Sequence, residues 1–341
     1  MKMAGQGSEP NSANVVQRLV RGYTHLNGLV EYLGTAKLAG LIGRSLKYAF
    51  SSRICSPAMQ NQSGAAPLVS VIIATYNWSS VLRYAVRSVL WQTEPDFELL
   101  VVGDGCTDNS EAVVRSFADP RIRWYNLESN SGHQSAPNNA GLALARGRYI
   151  AYQGHDDIWH PEHLKTLLRV IQSARADFAS SLAEMMGPPG SNFRVVTGIY
   201  PRKGYDGKHG LTIAGVMHRR EVLSVLEKWK DYREVWRNPD VDFEYRAMEA
   251  GFKFVSTREL TVYKFNSSLR KDSYIHKPSH EQAEYCKRIE EQRWFMLREA
   301  LAISRVHLLR PPMQVLTVPP PPSSRAPGWN VAHYRKYRGL E

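Results

Sequence analysis

The stretch 154-GHDDIWHPEHL-164 packs three histidines and two adjacent carboxylates into one short segment, and His155, Asp156, Asp157, His160 and His163 are all metal-ligating types. Two chemistries compete for it. His160 and His163, three residues apart, could share a helix face and hold zinc, with His155 behind them. The paired carboxylates suit a hard cation instead, Mg2+ or Mn2+, which takes oxygen ligands and fills its shell with substrate phosphates. Pro161 stands where a helix would start, so Glu162 and His163 read as exposed first-turn residues, which favours the carboxylates. His155 reads equally well as a phosphate or metal contact and as structural filler.

Such a cluster works only if a scaffold brings it to partners, and the upstream pattern supplies one. Residues 69-VSVIIAT-75 form a short apolar run rich in β-branched residues, as a strand covered on both faces requires. Residues 81–91 have helical spacing, 97-FELLVVGD-104 reads as a second buried strand, and 110–117 as a helix. A strand at 121-RIRWYNL-127, a helix at 138-NNAGLALARG-147 and a strand at 148-RYIAYQG-154 follow. This alternation is that of βαβ units on a parallel sheet. Ligands bind such sheets at the carboxyl ends of the strands. Here those ends read 74-ATYN-77, 103-GDGCTDNS-110 and 154-GHDD-157, more polar than a structural turn needs. Later elements are less regular: strands at 177–186 and 193–199, helices at 219–230 and 240–250, closing strands at 252–256 and 260–265, and a charged helix over 280–304.

Taken in order, 68-LVSVIIATYN-77, 99-LLVVGDGCTDNS-110, 130-NSG-132, 138-NNAGLALARGRYIAYQGHDDIWHPEHL-164 and 239-PDVDFEYRAMEAG-251 resemble the inverting glycosyltransferases of family 2, over roughly residues 67–268. The resemblance implies an α/β fold of the GT-A type, a mixed, mostly parallel central sheet flanked by helices. It implies a nucleoside-diphosphate-sugar donor, first of all a UDP-sugar. Ala74, Thr75, Tyr76 and Asn77 would line the nucleotide pocket, Asp104 would accept a hydrogen bond from the base, and Gly132, Asn138 and Asp156 would complete the donor site. Asp156 and Asp157 would bind the divalent cation, and Asp240, with Asp242 as second choice, would take the proton of the acceptor hydroxyl. Asp104 beside Gly105 also suits a plain turn, and Asp240 also suits a helix cap. The chain departs from the family pattern at three places: Gly154 and Pro239 stand where acids are usual, and the loop 130–141 lacks the arginine usual beside Asn138. Arg270 and Lys271, in a basic loop after the last strand, could face a diphosphate or simply solvent.

The chain of 341 residues carries a formal charge of +12. Residues 1–67 hold seven Lys/Arg against two Glu, and residues 306–341 hold five against one. The basic excess therefore lies at the two ends, the reverse of a core built to grip nucleic acid. Four regions are expected: an N-terminal extension over 1–66 with a polar tail, amphipathic helices and a linker; the GT-A domain over 67–275; a C-terminal helix over 276–305; and a structureless, proline-rich basic tail over 306–341. The N-terminal helices suit either packing on the domain or peripheral contact with a membrane. Cys55, Cys106 and Cys286 form no CxxC pair, and no apolar run is long enough to span a bilayer, so the expected location is the cytoplasm, at most bound to the inner face of the membrane. The acceptor would be a glycan, a lipid-linked saccharide or a small molecule, in cell-surface polysaccharide or glycan synthesis. A sugar-phosphate nucleotidyltransferase is the rival enzyme, although 75-TYNWSSVLR-83 lacks its Gly-rich basic loop. A binding protein that keeps the fold without catalysis is the third reading.

Overall fold

The computed structural model describes residues 66–291 apart from 192, 202 and 203, together with Phe295, Glu299 and 327–340. The chain divides into one unit of residues 53–292 and 314–341 and another of 1–52 and 293–313, and the elements named here belong to the first. The amphipathic helices and membrane contact expected within 1–66 lie outside the described residues. Among the described residues, no helix is long and apolar enough to cross a membrane.

Strand and helix alternate through the first half: β1 (Val69–Thr75), α1 (Ser79–Leu90), β2 (Phe97–Gly103), α2 (Ser110–Arg115), β3 (Ile122–Asn126), α3 (Ser135–Leu144) and β4 (Tyr149–Gly154). The short β5 (Ile158–Trp159) and α4 (His163–Ser173) lead to β6 (Phe178–Met186), β7 (Arg194–Thr197), β8 (Val216–Arg219), α5 (Leu223–Leu226), α6 (Pro239–Glu249) and β9 (Phe254–Phe265). The chain continues through α7 (Ser273–His276) and α8 (His280–Glu291), and its last described helix is α9 (Trp329–Tyr337). The sheet runs β3-β2-β1-β4-β8-β6-β9-β5, with β7 paired to β6. Strands β1 to β4 are parallel, as are β6 and β9, whereas β8, β7 and β5 enter antiparallel.

The apolar runs explain the layers. Successive side chains of a strand face opposite ways, so a strand buried on both faces feeds two cores. Val69, Val71 and Ile73 of β1 pack with Leu82, Val86, Leu164 and Ile171 from α1 and α4. Ile72, between them, joins Leu100, Tyr152, Trp229 and Phe243 on the other face.

Three departures from expectation have local causes. Helix 219–230 is cut to a few residues because Glu227 takes a φ of 59°, which ends α5. The two expected closing strands are one: β9 bulges around Arg258 (φ 54°), so that Ser256 pairs with Ser180 and Leu260 with Leu182. The tail expected without structure is helical over α9, because Gly328 N–H donates to Val235 O at 3.1 Å, Asp272 N–H donates to Tyr337 O at 3.0 Å and Val331 is buried.

Candidate active site

Register alone puts three polar loops side by side. Thr75 pairs with Gly103 and Ala74 with Gly154, so the carboxyl ends of β1, β2 and β4 sit next to one another. Asn77, at a φ of 41°, joins the first two loops: its Oδ1 accepts the N–H groups of Thr107 (2.7 Å) and Asp108 (3.1 Å). Asp108 in turn accepts the Ser79 N–H at the start of α1 (3.0 Å). The Asn77 side chain thus holds the loops in place. Ala74 and Tyr76 are half-buried at the same edge, with the Tyr76 ring 6.4 Å from that of Tyr274.

Asp104 is buried at the end of β2, where Oδ1 accepts the Ser131 N–H (3.0 Å) and Oδ2 the Asn130 side-chain amide (2.9 Å). Burial raises its pKa against the pull of the Ser131 and Gly132 donors and of Arg335. The carboxylate thereby fixes the loop that carries Gly132, whose φ of 93° needs a glycine, and a carboxylate with two such bonds retains free lone pairs. Asn138 is buried in the first turn of α3.

The stretch that opened the sequence divides into separate roles. His155 is buried between Thr75 Oγ1, 3.0 Å from Nδ1, and Tyr274 Oη, 3.2 Å from Nε2. Burial lowers its pKa, so the ring is neutral and joins two hydroxyls. His163, expected to be exposed, is fully buried: its ring packs tilted against Trp159 with centroids 4.2 Å apart, and Nδ1 meets Thr261 Oγ1 at 2.7 Å. His160 Nδ1 accepts the Glu162 N–H at 3.2 Å. Hence no zinc site assembles here, and among the described residues no three His, Cys, Asp or Glu side chains converge as a protein-only metal cage requires.

Asp157 is fully buried, and its Oδ2 meets Lys264 Nζ of β9 at 3.0 Å while Oδ1 has no hydrogen-bond partner. Burial pushes its pKa up to about 6 against the pull of Lys264. Asp156 is nearly buried, and among the described residues its carboxylate makes no ion pair or hydrogen bond, its only bond being from Gln282 Nε2 to its backbone oxygen (3.1 Å). A carboxylate of this kind and the orphaned Oδ1 fit a hard cation, which needs one or two protein carboxylates beside substrate phosphates. Gly154, where the family has an acid, has its own reason: a Cβ there would collide with Asp157 Oδ2.

Asp240 stands in the first turn of α6, behind Pro239, and Oδ1 accepts the Val241 N–H at 2.9 Å. Burial raises its pKa, against that bond and the charge of Lys264. Asp242 is committed to an ion pair with Arg246 (2.8 Å). Lys264 links the two acidic groups: burial opposes its charge, but Asp157, Asp156 and Asp240 together push its pKa up. Arg270 serves elsewhere, bound bidentately to Glu281 (2.7 and 3.0 Å) and to the carbonyls of Met186 and Gly187. Sequence reasoning missed Lys264, Tyr274 and the cations of α9. The only trace of them was the basic excess at the C-terminus and the basic stretch after β9.

Residues 70–213 match the sequence model of the family described as Glycosyl transferase family 2. The putative teichuronic acid biosynthesis glycosyltransferase TuaG of Bacillus subtilis is 35% identical over 127 residues, 37% of this chain and 50% of TuaG. Succinoglycan biosynthesis protein ExoO of Rhizobium meliloti is 33% identical over 129 residues, 38% of this chain and 37% of ExoO. An uncharacterized glycosyltransferase of Nostoc is 38% identical over 109 residues, 31% of this chain and 33% of the relative. The chain thus spans half or less of the length of these curated relatives. Among solved structures, S. aureus TarS 1–349 in complex with UDP-GlcNAc superposes with a TM-score of 0.49 at 20% identity, covering 68% of this chain and 71% of that one. The mannosyltransferase PcManGT from Pyrobaculum calidifontis, in complex with GDP-Man and Mn2+, gives 0.48 at 14% identity, covering 84% and 85%. Residues 70–213 thus carry the match to glycosyl transferase family 2, and the ordered motifs lie at the strand ends of a mixed, mostly parallel α/β sheet of the GT-A type.

Proposed function

We propose that the chain is an inverting glycosyltransferase that moves a sugar from a nucleoside-diphosphate sugar, a UDP-sugar first among candidates, to an acceptor hydroxyl in cell-surface polysaccharide or glycan synthesis. One observation carries this reading: register sets the polar carboxyl ends of β1, β2 and β4 side by side, and the Asp157 carboxylate at that edge meets Lys264 Nζ at 3.0 Å, a lysine on whose charge Asp156 and Asp240 also act. The polysaccharide roles in the names of TuaG and ExoO support the pathway class. The match of residues 70–213 to the family argues against the nucleotidyltransferase reading.

In the proposed reaction the acceptor oxygen attacks the anomeric carbon from the face opposite the nucleotide. Asp240 takes the hydroxyl proton as the new C–O bond forms, and the bond from the anomeric carbon to the diphosphate oxygen breaks with its electron pair leaving on the nucleotide. A raised pKa makes Asp240 a better base than an ordinary surface carboxylate. Thr75, Tyr76 and Asp104 would hold the nucleoside, with Gly132 and Asn138 closing over it. Asp156 and the free oxygen of Asp157 would hold Mg2+ or Mn2+, which when bound neutralises charge on the diphosphate. The acceptor would be a glycan, a lipid-linked saccharide or a small molecule, and the site of action the cytoplasm or the inner face of the membrane.

Incubation with UDP-, GDP- and dTDP-sugars plus Mn2+, with release of the nucleoside diphosphate as readout, tests the proposal. Turnover of one donor is expected. Pyrophosphate release from a nucleoside triphosphate and a sugar phosphate would replace it with the rival enzyme, and binding without turnover of any donor would leave a binding protein.

A further inference from the structure

The acids of this site create an electrostatic problem. Asp156, Asp157 and Asp240 all act on one Lys264, and a nucleoside-diphosphate sugar would add two more negative charges beside them. The divalent cation proposed above would offset part of this charge, and further cations come from the end of the chain. Helix α9 is tied down by backbone at two places: Gly328 N–H donates to Val235 O at 3.1 Å, and beyond its end Asp272 and Tyr274 donate to the carbonyls of Tyr337 and Arg338, each at 3.0 Å. Gly339 turns with a φ of 78° against Ile275.

This strap sets two guanidinium groups, Arg335 in the helix and Arg338 just past its end, beside the loops proposed to hold the donor. Arg335 donates from Nη1 to the carbonyl of Gly132, in the loop that Asp104 holds, and its charge is felt at Asp104. Arg338 lies 5.5 Å from the centroid of Tyr274, the ring whose hydroxyl bonds His155, and its charge acts on His155 itself, beside Asp156. Its Nε is held by Tyr334 O (3.1 Å) and one Nη by Ser267 Oγ (3.3 Å), which pre-orients the guanidinium. Among the described residues, no carboxylate forms an ion pair with Arg338. A half-buried guanidinium, aimed by neutral groups and left without a counter-ion, is suited to a phosphate.

Resting on the donor site proposed above, we infer that α9 is a working wall of that site, with Arg338 as a ligand of the donor diphosphate and Arg335 as the positioning residue that latches the Gly132 loop over the nucleoside.

The test is calorimetry on the full-length protein with Mn2+, using whichever of UDP, GDP and dTDP the wild type binds, and the matching nucleoside. Arg338→Ala should weaken the nucleoside diphosphate by about tenfold or more and leave the nucleoside unchanged. Arg338→Lys should recover part of the loss. Arg335→Ala should weaken nucleoside and nucleoside diphosphate by the same factor, because it frees the loop and removes no phosphate contact. Melting curves without ligand identify any variant that fails to fold, and for such a variant Arg338→Lys carries the comparison. Equal affinity of wild type and Arg338→Ala overturns the inference and leaves the donor site standing. Tighter binding by Arg338→Ala also overturns it, making the strap an inhibitory cover. A wild type that binds none of the three nucleotides removes the donor reading itself, and this inference with it.

Discussion

The two sides of the site are built in opposite ways. The proposed donor side comes from consecutive βαβ units, each strand carrying its own polar end, so Thr75, Asp104 and Asp156 become neighbours as soon as β1, β2 and β4 pair. The proposed acceptor side is assembled from distant pieces: Asp240 from α6 and Lys264 from β9, which reaches Asp157 across 107 residues of chain. On the first side function follows from local order. On the second it depends on long-range packing, and there a single substitution should separate catalysis from binding or stability.

The largest effect is expected at the base. Asp240→Asn should lower turnover by about 10²- to 10⁴-fold while calorimetry shows unchanged nucleotide affinity. If both fall together, Asp240 belongs to the donor side and the division fails. The pH profile offers a second reading of the same group. Asp240 must be ionised to act, and its pKa is raised, so turnover should climb with pH through a range above that of ordinary carboxylates. The asparagine variant should lose that limb.

Next comes the tie between the two sides. Lys264→Met leaves Asp157 fully buried and unpaired, at a cost of about 3 kcal/mol in chemical unfolding at pH 8. The sign with pH follows from Asp157. Its folded pKa, about 6, lies above the unfolded one, so this carboxyl favours the fold at low pH and opposes it as pH rises through 6. Lys264 offsets that opposition, and the cost of losing it should therefore shrink below pH 6. A cost independent of pH would show that the lysine merely packs.

A smaller effect is expected at Gly154. Restoring the usual family acid with Gly154→Asp should not tighten Mn2+ binding, because the new Cβ meets Asp157 Oδ2 and displaces the carboxylate it was meant to assist. A loss of roughly 1–3 kcal/mol in stability, read as a lower Tm, is the expected outcome. Tighter Mn2+ binding in titration would show that the site has room for a third acid.

The same contrast explains what the sequence could reveal. Strands β1, β2 and β4 are legible because short, nearly continuous apolar runs, rich in β-branched residues in β1, have one good environment, and their polar ends then have to share an edge. Strand β8 was missed: four residues, Val216–Arg219, inserted antiparallel between β4 and β6, carry too short a pattern to detect. His163 was placed in solvent because a helix start is usually exposed, yet this one lies under Trp159. Arg270 looked free for phosphate because Glu281, its true partner, sits on a different element. Pairings across elements are set by packing, and periodicity carries no trace of them.

The last prediction concerns Glu244, one turn after Asp240 on α6. It is 1% exposed, both carboxylate oxygens lack a hydrogen-bond partner, and the neighbouring Tyr205 hydroxyl lacks one too. Burial first, and the charge of Asp240 second, raise its pKa well above the ordinary range. A carboxyl whose folded pKa is raised binds its proton more tightly in the fold, so its contribution is full below the unfolded pKa and is lost as pH rises through the folded one. Glu244→Gln keeps the shape and removes that liability. The variant should gain on the order of 1–3 kcal/mol over wild type at pH 8 and progressively less toward pH 4.5, read from chemical denaturation at each pH. Equal stability of the two proteins across that range would mean that Glu244 is already satisfied, for instance by buried water shared with Tyr205, and the acceptor side would then be wetter than the donor side.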